Sequence, residues 1–342
     1  MPLAVAARER DADANGVIFG YRFTPDAAGE PIDTAAALAW LARPATDGSF
    51  VWLHLNLARS GCVSWMQTHL DLPDEFYETL GEGVESSRLE PQSQALLAVI
   101  NDVTFSLDLS PADVATLWSY TDRRLIVTAH AKPLRLIDRL HATVGREEPF
   151  RSALELLVYL LREQADVLIR VVRRTGMEVD RVEDDYLETR ESRRRVELGA
   201  MRRVLVRLQR LLAPETGSMF RLLNRPPAWL RERDLQDLRE SAEEFSLVLG
   251  DLGGLVERIK LLQEEMAAQV NESSSRTLFT LTLVTVLALP INIVAGIFGM
   301  NVGGIPLADS PHGFWVMVLL VATFTVLAGY IAFRRQRQQR NS

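Results

Sequence analysis

Two uncharged stretches near the carboxyl terminus decide the fold of this chain. Residues 278–298 read LFTLTLVTVLALPINIVAGIF and residues 313–333 read GFWVMVLLVATFTVLAGYIAF, 21 residues each. At about 1.5 Å per residue, a helix of that length spans roughly 30 Å, the thickness of the hydrocarbon layer of a membrane. Asp309 is the only charged residue between Thr277 and Phe333. Core helices of soluble proteins carry a charged rim at this length, so the pattern predicts a two-helix transmembrane hairpin.

Basic residues lie on only one side of this hairpin. Arg276 precedes the first stretch, whereas residues 299–312 between the stretches hold no Lys or Arg. Because short basic flanks stay in the cytoplasm, we expect both termini to be cytoplasmic and residues 299–312 to form an external loop. Residues 1–15 lack the apolar stretch of a signal peptide. A basic cytoplasmic tail, 334–342, follows the second stretch and contains Arg334, Arg335, Arg337 and Arg340.

The rest of the chain is an acidic, water-soluble body. The 342 residues carry a formal charge of −7. Four of the basic residues are the tail arginines and one acidic residue is Asp309, so residues 1–276 hold 34 basic and 44 acidic side chains. Hydrophobic residues make up 47% of the chain, which excludes a disordered or collagen-like protein. The single cysteine, Cys62, excludes a disulfide-stapled fold, and its neighbours Val63 and Trp65 favour a packing role.

Residues 1–148 are predicted to form a cytosolic mixed α/β domain. Helical or turn-rich segments at 61–72 and 73–80 separate β-like runs. The domain contains no Gly-rich phosphate loop, nucleophile elbow or paired metal-ligand motif, so we expect no enzyme, no cofactor and no nucleic-acid partner. The β-like runs are Val17–Phe23, Phe50–Leu57, Ala95–Asn101, Val114–Tyr120 and Leu125–Ala129.

From residue 149 to residue 276 the pattern is helical and predicts a cytosolic bundle that ends in a stalk helix. Helical periodicity covers residues 153–174, 178–212 and 219–275. Gly176 predicts the first break, and the second is predicted by Pro214 with Gly217. A further break is predicted at Pro226-Pro227.

The second of these predicted helices carries an acidic cluster. A solvated helix face is its common explanation, and attraction of cations is the alternative. The cluster consists of Glu178, Asp180, Glu183, Asp184, Asp185, Glu188 and Glu191.

The stalk helix has two distinct faces. With heptad position a at Leu235, ten of the eleven a and d residues up to Val270 are apolar, and Gln263 is the exception, so this face predicts packing against neighbouring helices. The b and f positions lie almost opposite and their charged residues are all acidic. From these positions we select Glu257, Glu264 and Asn271 as candidate vestibule residues.

Carried without a break into the first span, 277–298, the same b and f positions form a stripe of hydroxyls, a carboxamide and glycines. Such a stripe is typical either of a packing seam between membrane helices or of a pore wall. Asn292 in mid-membrane favours the pore. Two spans cannot close a pore, so a pore requires a homo-oligomer with the first helix innermost. The predicted pore-lining residues are Ser275, Leu278, Thr282, Thr285, Leu289, Asn292 and Gly296, of which Leu278 and Leu289 are candidate constrictions or packing residues.

The end of the first span carries a tripeptide with a known counterpart. Gly299-Met300-Asn301 follows Gly296-Ile297-Phe298. In this position, after a large acidic domain and a long stalk and before a second span and a basic tail, it resembles the CorA superfamily of divalent-cation transporters. The continuation Val302-Gly303-Gly304-Ile305-Pro306 resembles the ZntB zinc-transporter branch.

This resemblance implies a funnel-shaped homopentamer in the cell inner membrane, with zinc as the favoured cargo. It places Gly299, Met300 and Asn301 at the pore entrance. A carboxamide oxygen can meet a hydrated cation without binding it tightly, which suits conduction. The partners expected are further copies of the chain, membrane lipid, a divalent metal ion and, if transport is coupled, protons.

Zinc-specific ligands are scarce in the sequence. Zinc usually takes Cys and His ligands, and the first span has neither. Asp309 and His312, both in the external loop, are candidate metal residues. For proton coupling, the candidates are Asp309, His312 and the stalk carboxylates. The other histidines, His54, His69, His130 and His141, are predicted to be ordinary surface or core residues.

Two rival functions are compatible with the same sequence. One is a magnesium, cobalt or nickel channel of the same fold. The other is a membrane-anchored cytosolic regulator in which the hairpin only tethers the domain. Only the regulator predicts no ion flux and no need for the polar stripe.

Overall fold

A computed structural model of the chain describes residues 12–25, 27–44, 47–81, 87–103, 114–189, 194–300 and 310–340. The chain forms two compact units, Met1–Gln263 and Glu264–Ser342. The first unit contains a sheet of seven strands in the order β2-β1-β3-β7-β6-β5-β4, in which only β3 and β7 pair in parallel. The strands are β1 Val17–Phe23, β2 Glu30–Pro31, β3 Phe50–Asn56, β4 Arg88–Pro91, β5 Leu96–Val103, β6 Val114–Thr121 and β7 Leu125–His130.

Four short and four long helices complete the described fold. The short helices belong to the mixed α/β domain and the long ones follow it along the chain. The short helices are α1 Thr34–Leu41, α2 Cys62–His69, α3 Asp74–Gly81 and α4 Arg135–Val144; the long helices are α5 Ala153–Thr189, α6 Arg194–Asn224, α7 Glu232–Phe298 and α8 Gly313–Arg340.

The sheet is covered on both faces, which explains its apolar strands. All seven residues of β3 are buried, as expected for a central strand packed on both sides. Because successive side chains point to opposite faces, Trp52 joins one hydrophobic cluster with residues of α4 to α7. Leu53 joins the other cluster, with residues of α1 to α3. The five predicted β runs are all strands, and the predicted mixed α/β domain is confirmed.

Two predicted helix breaks are wrong. Helix α5 runs from Ala153 to Thr189 across Gly176, and nothing lies within 4 Å of the position that a Cβ would take there. Helix α6 continues through Pro214 and Gly217 to Asn224. In consequence, the members of the acidic cluster from Glu178 to Glu188 lie on α5, and Glu191 lies outside the described residues.

The acidic cluster is partly used in packing. The guanidinium of Arg258, on α7, bonds to Asp180 at 2.6 Å and to Glu183 at 2.5 Å. These two hydrogen bonds raise the pKa of Arg258, with Glu183 the larger cause. At least part of the cluster therefore joins two helices and is not simply a solvated face.

Candidate ion pathway along helix α7

Helix α7 is unbroken from Glu232 to Phe298, so its heptad positions keep one phase throughout. Leu238, Ala242, Phe245, Leu252 and Ile259 at a and d positions are fully buried. The outermost, Val270, is 45% exposed. The apolar seam predicted from the sequence is confirmed as a packing face.

The opposite b and f face of α7 is exposed along its length. Glu257, Glu264 and Asn271 are all exposed in the single chain. Two large apolar side chains interrupt this acidic face, Leu247 at 72% and Leu261 at 56% exposure. Isolated exposed leucines are common, but a pair on one face of one helix leaves apolar area that a neighbouring chain could cover.

Sequence reasoning missed one cation beside this face. The ammonium of Lys260 lies 2.8 Å from a carboxylate oxygen of Glu257, an i, i+3 pair on α7. Both side chains are exposed, so the pair contributes little to stability, yet it offsets the charge of Glu257 locally. The i, i+3 spacing in the sequence was the available signal. Among the described residues, no ion pair involves Glu264.

The predicted polar stripe continues on the apolar part of α7. Leu278 and Leu289 are 64% and 56% exposed, and Ser275, Asn292 and Gly296 are exposed as well. One helix is long and apolar enough to cross a membrane, and a shorter apolar helix spans Gly313–Leu327 among the described residues.

Two threonine hydroxyls on the stripe are bonded to the helix backbone. Thr282 donates to the carbonyl of Leu278 at 2.8 Å, and Thr285 donates to that of Leu281 at 2.9 Å. Since each hydroxyl hydrogen is used within the helix, the hydroxyl oxygens keep lone pairs that can accept hydrogen bonds from a hydrated cation.

Partly covered side chains show which face of α7 packs within the second unit. Leu283, Leu287 and Val294 are only partly exposed, and at 100° per residue they lie opposite the stripe. On α8, the partly exposed positions include Met317, Val321 and Thr325, which share one face. On each helix these positions share one face, and on α7 the stripe lies on the opposite, exposed face.

The entrance motif begins where α7 ends. The N–H of Gly299 donates to the carbonyl of Ala295 at 2.9 Å, and that of Met300 to the carbonyl of Ile297 at 3.3 Å. Carbonyl oxygens at a helix C-terminus carry partial negative charge, which favours cations. Met300 and His312 are exposed, while Asn301 and Asp309 lie outside the described residues.

Two histidines of the first unit form a buried pair. His54 and His130 are buried neighbours, with ring centres 4.8 Å apart. Burial lowers the pKa of His130 to about 4, and burial is also the main cause that lowers the pKa of His54. Within the described ranges, no group of three or more His, Cys, Asp or Glu side chains could hold a metal ion. Cys62 is buried and burial raises its pKa to about 11, in line with packing.

Comparison with known proteins decides the family. Residues 47–335 match the model of the family described as CorA-like Mg2+ transporter protein. The chain belongs to the CorA-like Mg2+ transporter family. Its fold and its apolar C-terminal helices are those of a membrane transporter of divalent cations, and the family is not enzymatic.

Individual relatives of this family align with most of the length of this chain. The divalent cation transporter CmaX of Pseudomonas aeruginosa is 27% identical over 95% of this chain and 97% of its own. The zinc transport protein ZntB of Pectobacterium atrosepticum is 25% identical over 84% of this chain and 87% of its own. A full-length CmaX structure superimposes with a TM-score of 0.77 at 26% identity and covers 95% of this chain and 99% of the other. CmaX thus matches this CorA-family chain over more residues than ZntB does, so the comparisons show the family and not the zinc branch in particular.

Proposed function

We propose that this CorA-family protein conducts a divalent metal cation, with zinc as the favoured cargo, across the cell inner membrane through a symmetric pore lined by α7. The observation that carries the proposal is the orientation of the polar stripe. Its residues lie opposite Leu283, Leu287 and Val294, three of the partly covered side chains of α7. A hairpin that only anchors the domain would expose the carboxamide of Asn292 to lipid, which is energetically costly.

A pore built in this way requires several copies of the chain. One helix supplies one wall, so the stripes of symmetry-related α7 helices would surround a common axis. CorA-family proteins form homo-oligomeric pentamers. The exposed Leu247 and Leu261 on the same face of α7 support close approach of neighbouring copies. We therefore propose a homopentamer with both termini in the cytoplasm.

The proposed path has three parts. Glu257, Glu264 and Asn271 line a cytoplasmic vestibule that concentrates cations. The stripe from Ser275 to Gly296 lines the membrane pore, with Leu278 and Leu289 as apolar constrictions. The carbonyls of Gly299 and Met300 and the carboxamide of Asn301 form the entrance.

The cation is proposed to pass with much of its hydration shell. The stripe offers hydroxyls, a carboxamide and backbone oxygens, which are neutral and bind weakly enough for release. It has no Cys or His to hold zinc directly. The 25% identity with ZntB supports zinc. The family description names Mg2+, which keeps a magnesium, cobalt or nickel channel as the second candidate.

Flux in vesicles tests this proposal. Full-length protein in liposomes should move zinc faster than magnesium, cobalt or nickel, each followed with a metal-sensitive dye. A set proton gradient tests coupling, for which Asp309, His312 and the stalk carboxylates are the candidates. Flux of another metal in preference to zinc would overturn the cargo, and absence of flux for all four would favour the anchored regulator.

A further inference from the structure

Helix α6 borders an open groove rich in arginine. The groove has a volume of about 660 Å³, and Gln263 of α7 contributes to its wall. We refer to it as the arginine groove. Its lining residues are Gly199, Arg202, Arg203, Val206, Arg207, Arg210 and Gln263.

Three of the four arginines lie on successive turns of one helix face. Arg203, Arg207 and Arg210 are spaced by four and three residues, so they share one side of α6, and Arg202 lies at the edge of that side. At about 1.5 Å per residue, the row from Arg202 to Arg210 is roughly 12 Å long. A row of this length can contact several linked anionic groups at the same time, whereas a single anion would contact only part of it.

Their charges are not neutralised by the protein in the part of the chain that the structure describes. None of the four has an ion pair there, whereas Arg258 binds two carboxylates and Arg151 binds Glu155 and Asp237. The sequence of α6 holds only two acidic residues, and one of them, Glu215, is fully buried. In a soluble body of net negative charge, this is a local excess of positive charge.

The groove also has space for a ligand and is lined by apolar and amide groups as well as by arginines. Gly199 has no side chain, and a Cβ there would lie 3.6 Å from both Arg203 Nη1 and Gln263 Nε2. Val206 adds an apolar surface between the arginines, and Gln263 adds an amide that can donate and accept hydrogen bonds. The volume falls within the range of small-molecule sites.

We propose that the arginine groove binds a soluble oligophosphate, a compound with two or three linked phosphate groups such as a nucleoside triphosphate. Guanidinium groups bind phosphate oxygens in pairs of hydrogen bonds, and four of them match several phosphates rather than one. An acidic helix of a second copy is the competing occupant. The acidic cluster on α5 fits this role less well, because Asp180 and Glu183 are already paired with Arg258.

Calorimetry on the full-length protein in detergent tests the site without reference to transport. Phosphate, pyrophosphate, tripolyphosphate and ATP are titrated at constant ionic strength, with a chelator present to remove metal ions. Affinity should rise with the number of phosphates. The double substitution Arg207→Gln with Arg210→Gln should weaken tripolyphosphate binding about tenfold or more, since each lost contact is a hydrogen bond between charged groups.

A matched control removes the same charge elsewhere. Arg170 and Arg173 are exposed on α5 and do not line the groove, so Arg170→Gln with Arg173→Gln should leave the affinity nearly unchanged. Equal losses in both double variants would show general charge attraction and overturn the site. So would the absence of saturable binding, an unaffected groove variant, or a groove variant whose oligomer dissociates, which would assign the groove to a neighbouring copy.

Discussion

The backbone N–H of Ser87 donates a 3.1 Å hydrogen bond to the carbonyl of Leu211, three residues before Pro214 in helix α6. A proline inside a helix removes one backbone donor and crowds the preceding turn. Here strand β4 binds the same region, since the N–H of Leu89 also donates to Ser218 Oγ at 3.0 Å. Ser87, just before β4, and Leu89 within it therefore bind α6 on both sides of Pro214.

The same junction encloses Glu215. Its side chain is fully buried, and neither carboxylate oxygen has a hydrogen-bond partner among the described residues. Ser87 and Gln164 lie close enough to lower its pKa, but burial outweighs them and raises the pKa to about 8. A neutral carboxyl is therefore the favoured form below about pH 8.

Glu215→Gln should stabilise the protein at alkaline pH and change little at acidic pH. A raised folded pKa stabilises the fold below the unfolded value of about 4.5, and this contribution is lost as pH rises through about 8. The stability difference should grow with pH by at most about 1.4 kcal/mol per unit. Thermal unfolding of the full-length protein between pH 4.5 and 8.5 measures it, with the exposed Glu243→Gln as control. A pH-independent difference would mean that Glu215 is ionised in the fold.

The histidine pair should have the opposite dependence on pH. His54 and His130 have lowered pKa values, so the unfolded chain binds more protons between pH 6.5 and about 4, and stability falls as pH falls through this window. His130→Leu should reduce the loss of melting temperature between pH 6.5 and 5. His69→Gln, at an exposed position on α2, should not. An unchanged acid slope in the His130 variant would assign the loss to other groups.

The sequence predicted the elements whose patterns are local. Strand β1 matches its predicted limits, and the seam of α7 follows its heptads, because alternation and heptad spacing report burial directly. Helices α1 and α4 and the short strands β2 and β4 were not predicted; two to four residues of strand carry too little pattern. The breaks at Gly176 and Pro214 failed because a glycine in a long helix costs only about 1 kcal/mol and because tertiary contacts support α6.

For the candidate site, the sequence predicted the stripe but not its surroundings. Periodicity placed Thr285 and Asn292 on one face without indicating which face would be covered. The partial burial of Leu283 and Leu287 is a property of the folded chain that the spacing of polar residues does not report. The arginine groove likewise depends on packing, because Gln263 of α7 forms part of its wall. The Lys260–Glu257 pair is local to α7, and its i, i+3 spacing is present in the sequence.

Cysteine labelling distinguishes the stripe from the covered face. Thr285→Cys and Asn292→Cys should react with water-soluble thiol reagents about tenfold or more faster than Leu283→Cys and Leu287→Cys, since exposure and ionisation control thiol reactivity. The unsubstituted protein is a suitable background, because Cys62 is buried and its pKa is raised to about 11. Similar rates on both faces would count against a water-filled stripe.

The two vestibule carboxylates should differ in effect. Glu264→Gln should slow metal flux at low salt about twofold or more, whereas Glu257→Gln should have a smaller effect because Lys260 already offsets its charge. The difference should shrink as ionic strength rises, since screening acts over about 8 Å at physiological salt. Glu244→Gln, outside the b and f positions, removes the same charge as a control. Equal effects of all three variants would reduce the acidic face to a general contribution of net charge.

Asn301→Ala should reduce metal flux about tenfold or more while the oligomer remains intact, because the entrance loses an oxygen that accepts hydrogen bonds from a hydrated cation. Asn301→Asp should act differently: a ring of carboxylates binds the cation more tightly, so flux should saturate at lower metal concentration but with a lower maximum. Asn224→Ala removes the same carboxamide at an exposed position at the end of α6 and should have no effect. Vesicle flux measured over a range of metal concentrations separates the two entrance variants, and gel filtration checks assembly. Unaltered flux in a correctly assembled Asn301→Ala protein would exclude the carboxamide from the entrance and leave only the backbone carbonyls of Gly299 and Met300 to meet the ion.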